Sequence, residues 1–195
     1  LKIPADAAAG VYSGIVTLQA DGIEPVPLPV RAEVIGWRVP DPLEFQTFVQ
    51  SEQSPYGVAK HYKVDLWSDR HFQLMDSSFR QLARLGNDWV LVPVLTKSEL
   101  GNRDDMMIRW TRKKDGTLSF DYSVMDRYLA LAQKHLGMPR VICFVVMQGC
   151  ACNSNAVRVV DEATGQVETV EVGPAQGATR RPLWHAFATS LYDHM

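Results

Sequence analysis

Hydrophobic positions fall into two styles along this chain. Over the first 38 residues they form extended, β-forming runs: Gly10–Leu18, rich in β-branched residues and bounded by glycines, and Pro25–Val34, joined across Asp21-Gly22. The prolines of the second run suit an edge strand. Val39-Pro40-Asp41-Pro42 then reads as a stiff link, because proline fixes its own φ and restricts its predecessor. Beyond it the pattern alternates strand and helix. Leu43–Gln50 predicts a strand. A helix capped at Ser68 carries Phe72, Met75, Phe79, Leu82 and Ala83 at helical spacing and stops at Gly86. Val90–Leu95 predicts a second strand. A helix from Ser123 buries Met125, Leu129, Ala132 and Leu136 and ends at Gly137 and Pro139. Val141–Met147, apolar on both faces, reads as a covered parallel strand. A last helix starts near Pro182 and carries Trp184, Phe187, Ala188 and Leu191.

Connection lengths turn these elements into an architecture. Helix-to-strand links are short (residues 87–89 and 137–140), whereas strand-to-helix links are long (residues 51–67, 96–122 and 148–180). A (β/α)8 barrel has this asymmetry, since its working loops leave the carboxyl ends of the strands. We therefore expect an α/β fold: the first three β/α units of an incomplete (β/α)8 TIM barrel at residues 39–195, preceded at 1–38 by the last strands of a β-sandwich. Two hairpins interrupt the long links. Met106–Trp110 and Leu118–Phe120 flank Lys113-Lys114-Asp115-Gly116; Val157–Val160 and Val167–Val172 flank Asp161-Glu162-Ala163-Thr164-Gly165. On the carboxyl rim they read as walls of a cleft.

Composition narrows the classes. With 195 residues, 46% hydrophobic and 22% charged, the chain is globular in character. Its 20 Lys+Arg against 22 Asp+Glu leave a net charge of −2, so the basic footprint of a nucleic-acid binder is missing. The longest apolar run, Val141–Met147, is far short of the roughly 20 residues that span a bilayer. Three cysteines are too few for a disulfide framework. Cys143 reads as core, and Cys150 and Cys152 form a C-x-C pair with no histidine nearby, so we expect no metal and no cofactor. His71, His135 and His185 fall on helices as surface or cap residues. No G-x-G-x-x-G, phosphate loop or G-x-S-x-G is present. From its opening at Leu1-Lys2-Ile3-Pro4 and its close at Met195 inside a helical pattern, the chain reads as a piece of a longer protein.

Several stretches resemble a known family. Ser54-Pro55-Tyr56-Gly57-Val58-Ala59-Lys60-His61-Tyr62 with Leu66-Trp67-Ser68-Asp69-Arg70-His71-Phe72 is similar to the first strand-to-helix loop of glycoside hydrolase family 123, the β-N-acetylgalactosaminidases. So is Ile108-Arg109-Trp110-Thr111-Arg112-Lys113-Lys114-Asp115-Gly116-Thr117-Leu118-Ser119-Phe120-Asp121-Tyr122-Ser123, running into Asp126-Arg127-Tyr128. Ile3-Pro4-Ala5-Asp6-Ala7 and Gly10-Val11-Tyr12-Ser13-Gly14 resemble the end of the sandwich that precedes the family's barrel.

The resemblance implies a retaining glycosidase acting on β-linked N-acetylhexosamine, in which the substrate's own 2-acetamido oxygen attacks the anomeric carbon. It implies an Asp-Glu pair at the end of the fourth barrel strand, beyond residue 195, and a secreted or periplasmic setting. Asp161-Glu162 lies instead in a solvated hairpin turn, and a general acid needs partial burial to keep its pKa up. Family relatives carry Asp and Trp near the end of strand one, where this chain has Val49-Gln50-Ser51-Glu52-Gln53. Candidate sugar contacts on the rim are Gln50, Glu52, Tyr56, Lys60, His61, Tyr62, Trp110 and Gln148. Trp67 reads as a staple at a helix start. A non-catalytic carbohydrate-binding or structural module on a degenerate barrel is the alternative function. A barrel hydrolase using ordinary paired carboxylates is a third. A partial barrel also exposes an apolar strand edge, which predicts poor solubility for residues 1–195 alone.

Overall fold

A computed structural model describes residues 2–97, 106–147, 149, 155–173 and 177–195, without the side chain of Thr179. The chain divides into two compact units, Leu1–Pro40 and Asp41–Met195.

The first unit is an antiparallel hairpin of β1 (Gly10–Ala20) and β2 (Ile23–Val34). Gly22, at φ 76°, supplies the left-handed step of the turn. Register puts Tyr12, Val16 and Leu18 opposite Ala32, Leu28 and Val26, so one face of the ribbon is apolar. Pro25, Pro27 and Pro29 all fall on the other parity. Proline has no N–H, so the donors β2 turns towards β1 are those of Val26, Leu28 and Val30. Nearly every side chain of the ribbon is exposed.

The second unit is mixed α/β. Its helices are α1 (Pro55–Tyr62), α2 (Asp69–Arg84), α3 (Ser123–Leu136) and α4 (Gly177–His194). β3 (Trp89–Pro93) and β6 (Val141–Val145) pair in parallel, Leu91 opposite Cys143. Between them come β4 (Arg109–Arg112) and β5 (Leu118–Asp121); β7 (Ala156–Asp161) and β8 (Val167–Glu171) follow β6. Both expected hairpins form, and they fuse: β4 pairs in parallel with β7, giving a four-stranded sheet in the order β5-β4-β7-β8. This sheet rises from the carboxyl ends of the parallel pair, where Met107 N–H donates to the Pro93 carbonyl (3.0 Å) and Thr96 N–H to that of Ala156 (2.9 Å).

The core lies between the parallel pair and its helices. Phe72, Met75 and Phe79 of α2 meet Val90 and Val92 of β3 and Met125, Tyr128 and Ala132 of α3. The buried stripe of α3 passes through Tyr128, with Leu129 only packed against it. The Asp76 carboxylate joins the two helices, accepting from Lys134 Nζ (2.6 Å) and bonding His135 Nε2 (2.9 Å).

Four expectations are corrected. Leu43–Gln50 is not a ladder strand: Pro42–Glu44 forms a 3-10 turn, because Asp41 accepts from Leu43 N–H and Pro42 occupies a first-turn position. Val49 alone bridges, in parallel, to Asn87. The rim loop after it contains α1, capped by Ser54 Oγ on Gly57 N–H (2.9 Å) with Pro55 at its start. The last helix begins at Gly177, so Pro182 lies inside it. His71, expected as a surface or cap residue, is fully buried, with its ring turned back to the Trp67 N–H at the helix start.

Candidate functional site

The parallel sheet has two unlike faces. Strand alternation turns Val90 and Val92 into the helical core, and Leu91 and Cys143 to the opposite side. The segment before α1 follows the same period. Val49 and Ser51 are half-buried and Gln53 is buried, while Gln50 and Glu52 are exposed. Glu52 lies close enough to Cys143 that, after burial, its charge is the second cause raising the thiol pKa. Gln50 and Glu52 therefore share the open face with Leu91 and Cys143. Gln50 stands level with Asp88, at the start of β3, and Glu52 nearer the carboxyl end.

This segment is held by side chains in place of a ladder. Asn87, 1% exposed, accepts from Ser51 N–H at its Oδ1 (2.7 Å) and donates from Nδ2 to the Trp89 carbonyl (2.7 Å). Asp88 N–H donates to the Val49 carbonyl (3.0 Å). Arg140, just before β6, grips the Asp88 carboxylate and reaches the Phe45 and Thr47 carbonyls (both 3.4 Å). Tyr128 donates to Gln53 Oε1 at 3.4 Å, a long bond between two buried groups, and Gln53 Nε2 has no partner among the described residues. Burial alone raises the Tyr128 phenol pKa, so it stays a donor.

α1 carries four of the expected contacts. Tyr56 is half-buried; Lys60, His61 and Tyr62 are exposed, with the His61 ring edge-on to Tyr62 at 4.8 Å. The helix is anchored from beneath by His71. Its Nδ1 accepts from Trp67 N–H (3.0 Å), so the proton sits on Nε2 and is donated to the Pro55 carbonyl (2.9 Å). Burial lowers the pKa of this imidazole, and the Pro55 bond partly offsets that. Trp67, one residue before the Ser68 cap, packs its ring against Phe72 at 6.2 Å and makes the staple expected of it.

Trp110, expected among the sugar contacts, is wholly buried. Its ring stacks on Phe187 at 5.0 Å and meets Phe120 and Trp184 edge-on, because β4 turns it inward between the four-stranded sheet and α4. Gln148 lies outside the described residues, as do Cys150 and Cys152. Asp161 accepts from Thr164 N–H and Oγ1 and then from Ala163 N–H, which holds its carboxyl below the usual range, as a hairpin-turn residue and not as a proton donor.

Asn87 and Gln53 went unnoticed in the sequence, since nothing local marks a buried amide. A pocket of about 230 Å³ beside Trp67, flanked by Arg109 and Arg158 over Ile108 and Val160, has Trp110 on its wall as the one candidate sugar contact among its residues. Its other trace in the sequence is the alternation of Arg109 with Trp110 and of Arg158 with Val159. Among the described residues no group of three or more His, Cys, Asp or Glu side chains could hold a metal, and no helix is long and apolar enough to cross a membrane.

Comparison with known proteins follows the same lines. The family model "Glycoside hydrolase 123, catalytic domain" matches residues 53–195. Among solved structures, the chain is similar to a family 123 glycoside hydrolase from Clostridium perfringens, studied for the details of glycolipid glycan hydrolysis. That match has a TM-score of 0.79 and 26% sequence identity, and covers 100% of this chain and 35% of the other. The chain thus spans about a third of that enzyme's length. No curated protein matches.

Proposed function

The chain belongs to glycoside hydrolase family 123, and on that basis we propose that it is part of an enzyme cleaving β-linked N-acetylhexosamine, GalNAc-like, from glycans. The observation that carries the reading is the match of the family's catalytic domain over residues 53–195. In this reading β3, β6 and the segment bridging at Val49 are the first strands of a (β/α)8 barrel, and Leu1–Pro40 is the end of a β-sandwich. The parallel pairing of β3 with β6, with both hairpins leaving carboxyl ends, supports it.

Chemistry would follow the substrate-assisted retaining route. The 2-acetamido oxygen attacks the anomeric carbon as its bond to the leaving oxygen breaks. A glutamic acid beyond residue 195 gives that oxygen its proton, while the adjacent aspartate orients the acetamido group. Water then opens the ring so formed, restoring the amide and the original β configuration. Residues 1–195 supply one side of the sugar site, with Gln50, Glu52 and the exposed side chains of α1 as the contacts and no cofactor. The enzyme works on external glycans, secreted or periplasmic.

The test uses the full-length protein on p-nitrophenyl N-acetyl-β-D-galactosaminide and on the plain β-D-galactoside. We expect release from the first only, with the β-anomer as the initial product by NMR. Equal cleavage of both would point to ordinary paired carboxylates and sink the mechanism. Sugar binding without turnover would sink the enzyme and leave a binding module.

A further inference from the structure

The segment carrying Glu52 has one isolated bridge, that of Val49 with Asn87, two residues before β3. Such a strand is weakly registered, and a slip of one residue would turn Glu52 into the core and Gln53 out. Two buried amides occupy the places a ladder would fill. Asn87 spends both ends of its side chain, one on Ser51 N–H and one on the Trp89 carbonyl, which ties the segment to β3. Gln53, 8% exposed, is turned inward to Tyr128 on α3. An amide buried with a donor that has no partner among the described residues is unfavourable, where leucine would pack without that loss. What the inward Gln53 and the Ser51 bond accomplish together is alternation: with residues 51 and 53 held in, residue 52 must face out.

We propose that Asn87 and Gln53 are positioning residues that hold Glu52 on the open face of the parallel sheet, where its carboxylate accepts hydrogen bonds from the hydroxyl groups of a bound sugar. The sugar as ligand rests on the glycosidase reading above; the placement of Glu52 does not. A carboxylate is an acceptor only and takes two hydroxyl donors at once, which suits the vicinal hydroxyls of a pyranose. Glu52 makes no ion pair among the described residues, and its neighbours on that face, Leu91 and Cys143, offer it none.

Cys143 supplies a reporter that needs no substrate. In the full-length protein, the Cys143 thiol is titrated by the 13Cβ shift of labelled cysteine, assigned by its loss in Cys143→Ser, which needs no reagent to enter the fold. The midpoint reads nearby charge. Glu52→Gln should move the midpoint to lower pH, because a negative neighbour is removed. Asn87→Leu and Tyr128→Phe should move it the same way, and neither should move it further when combined with Glu52→Gln. Tyr128→Phe keeps the ring in the core and removes only the hydroxyl, so it tests placement without a folding defect. With p-nitrophenyl N-acetyl-β-D-galactosaminide, Glu52→Gln and Asn87→Leu should each raise KM about tenfold with kcat less affected. A wild-type midpoint in both Asn87→Leu and Tyr128→Phe, or none moved by Glu52→Gln, overturns the placement. No turnover by the wild type sinks the glycosidase reading and the sugar with it, while the midpoint still decides what holds Glu52.

Discussion

Trp37 and Trp110 mark the contrast between the two units. Trp37, in Leu1–Pro40, is 64% exposed; Trp110, in Asp41–Met195, is inaccessible and ringed by three aromatic side chains. The hairpin and the mixed unit contain the same kinds of apolar residue. In the mixed unit, helices cover one face of the sheet, so Val90 and Val92 are buried; in the hairpin Val16, Leu18 and Leu28 keep between 42% and 55% of their surface in water. Apolar content does not make a core. A second layer does, since two strands alone cannot bury their own face.

The sharpest way to break this contrast is to truncate both tryptophans. Trp110→Ala should lower stability by about 3–5 kcal/mol, read as a fall in urea midpoint, by removing the centre of the aromatic cluster. In residues 1–195 by themselves, Trp37→Ala should change the same midpoint by less than about 0.5 kcal/mol. Equal effects would mean that the hairpin is covered in solution. Next comes Gly86, at φ 73°, where an added Cβ would meet the Phe45 ring at 2.5 Å and the Pro42 carbonyl at 2.8 Å. Gly86→Ala should cost about 1–3 kcal/mol, whereas Gly14→Ala, whose Cβ meets nothing, should be mild.

Acid should weaken the mixed unit through His71. Its folded pKa is depressed, so the unfolded chain takes up a proton that the folded one refuses. Stability is full above the ordinary imidazole range, about 6.5, and falls as pH drops through it. Thermal melts between pH 7.5 and about 5 should show the loss, and His71→Gln should flatten it. Asp76, whose carboxyl is held down first by Lys134 and then by His135, adds a second loss only below the normal carboxylate range. A smaller loss is expected at the α2 cap: Ser68→Ala should cost about 1 kcal/mol, since Ser68 Oγ accepts from His71 N–H.

Periodicity and punctuation made the elements legible. The α2 stripe, the Ser68 cap, the Trp67 staple and both hairpin turns are local signals, and each is found where its residues announce it. What sequence could not carry is partner choice. The fusion of two hairpins through β4 and β7 joins residues about fifty apart, and no spacing encodes it. The segment at Leu43–Gln50 reads as a strand, yet Asp41 and Pro42 spend its start on a turn. Among the candidate contacts, alternation on segment 49–53 is what sorts Gln50 and Glu52 from Gln53, and it appears only once Asn87 and Tyr128 are in place. Trp110 depends on partner choice too: a strand in a hairpin has two sides, and α4 decides which ring face is covered.

The imino acids at 25, 27 and 29 give the first unit a direction of growth. Along its outer border β2 offers carbonyls with no donors between Ile23 and Val30 other than those of neighbours already spent on β1 or lost to the bend near Leu18. A further chain could zip onto that border only by leaving half its own carbonyls dry. Over that stretch the border is guarded against edge-to-edge pairing, and Gly10–Ala20 is the edge with its donors intact.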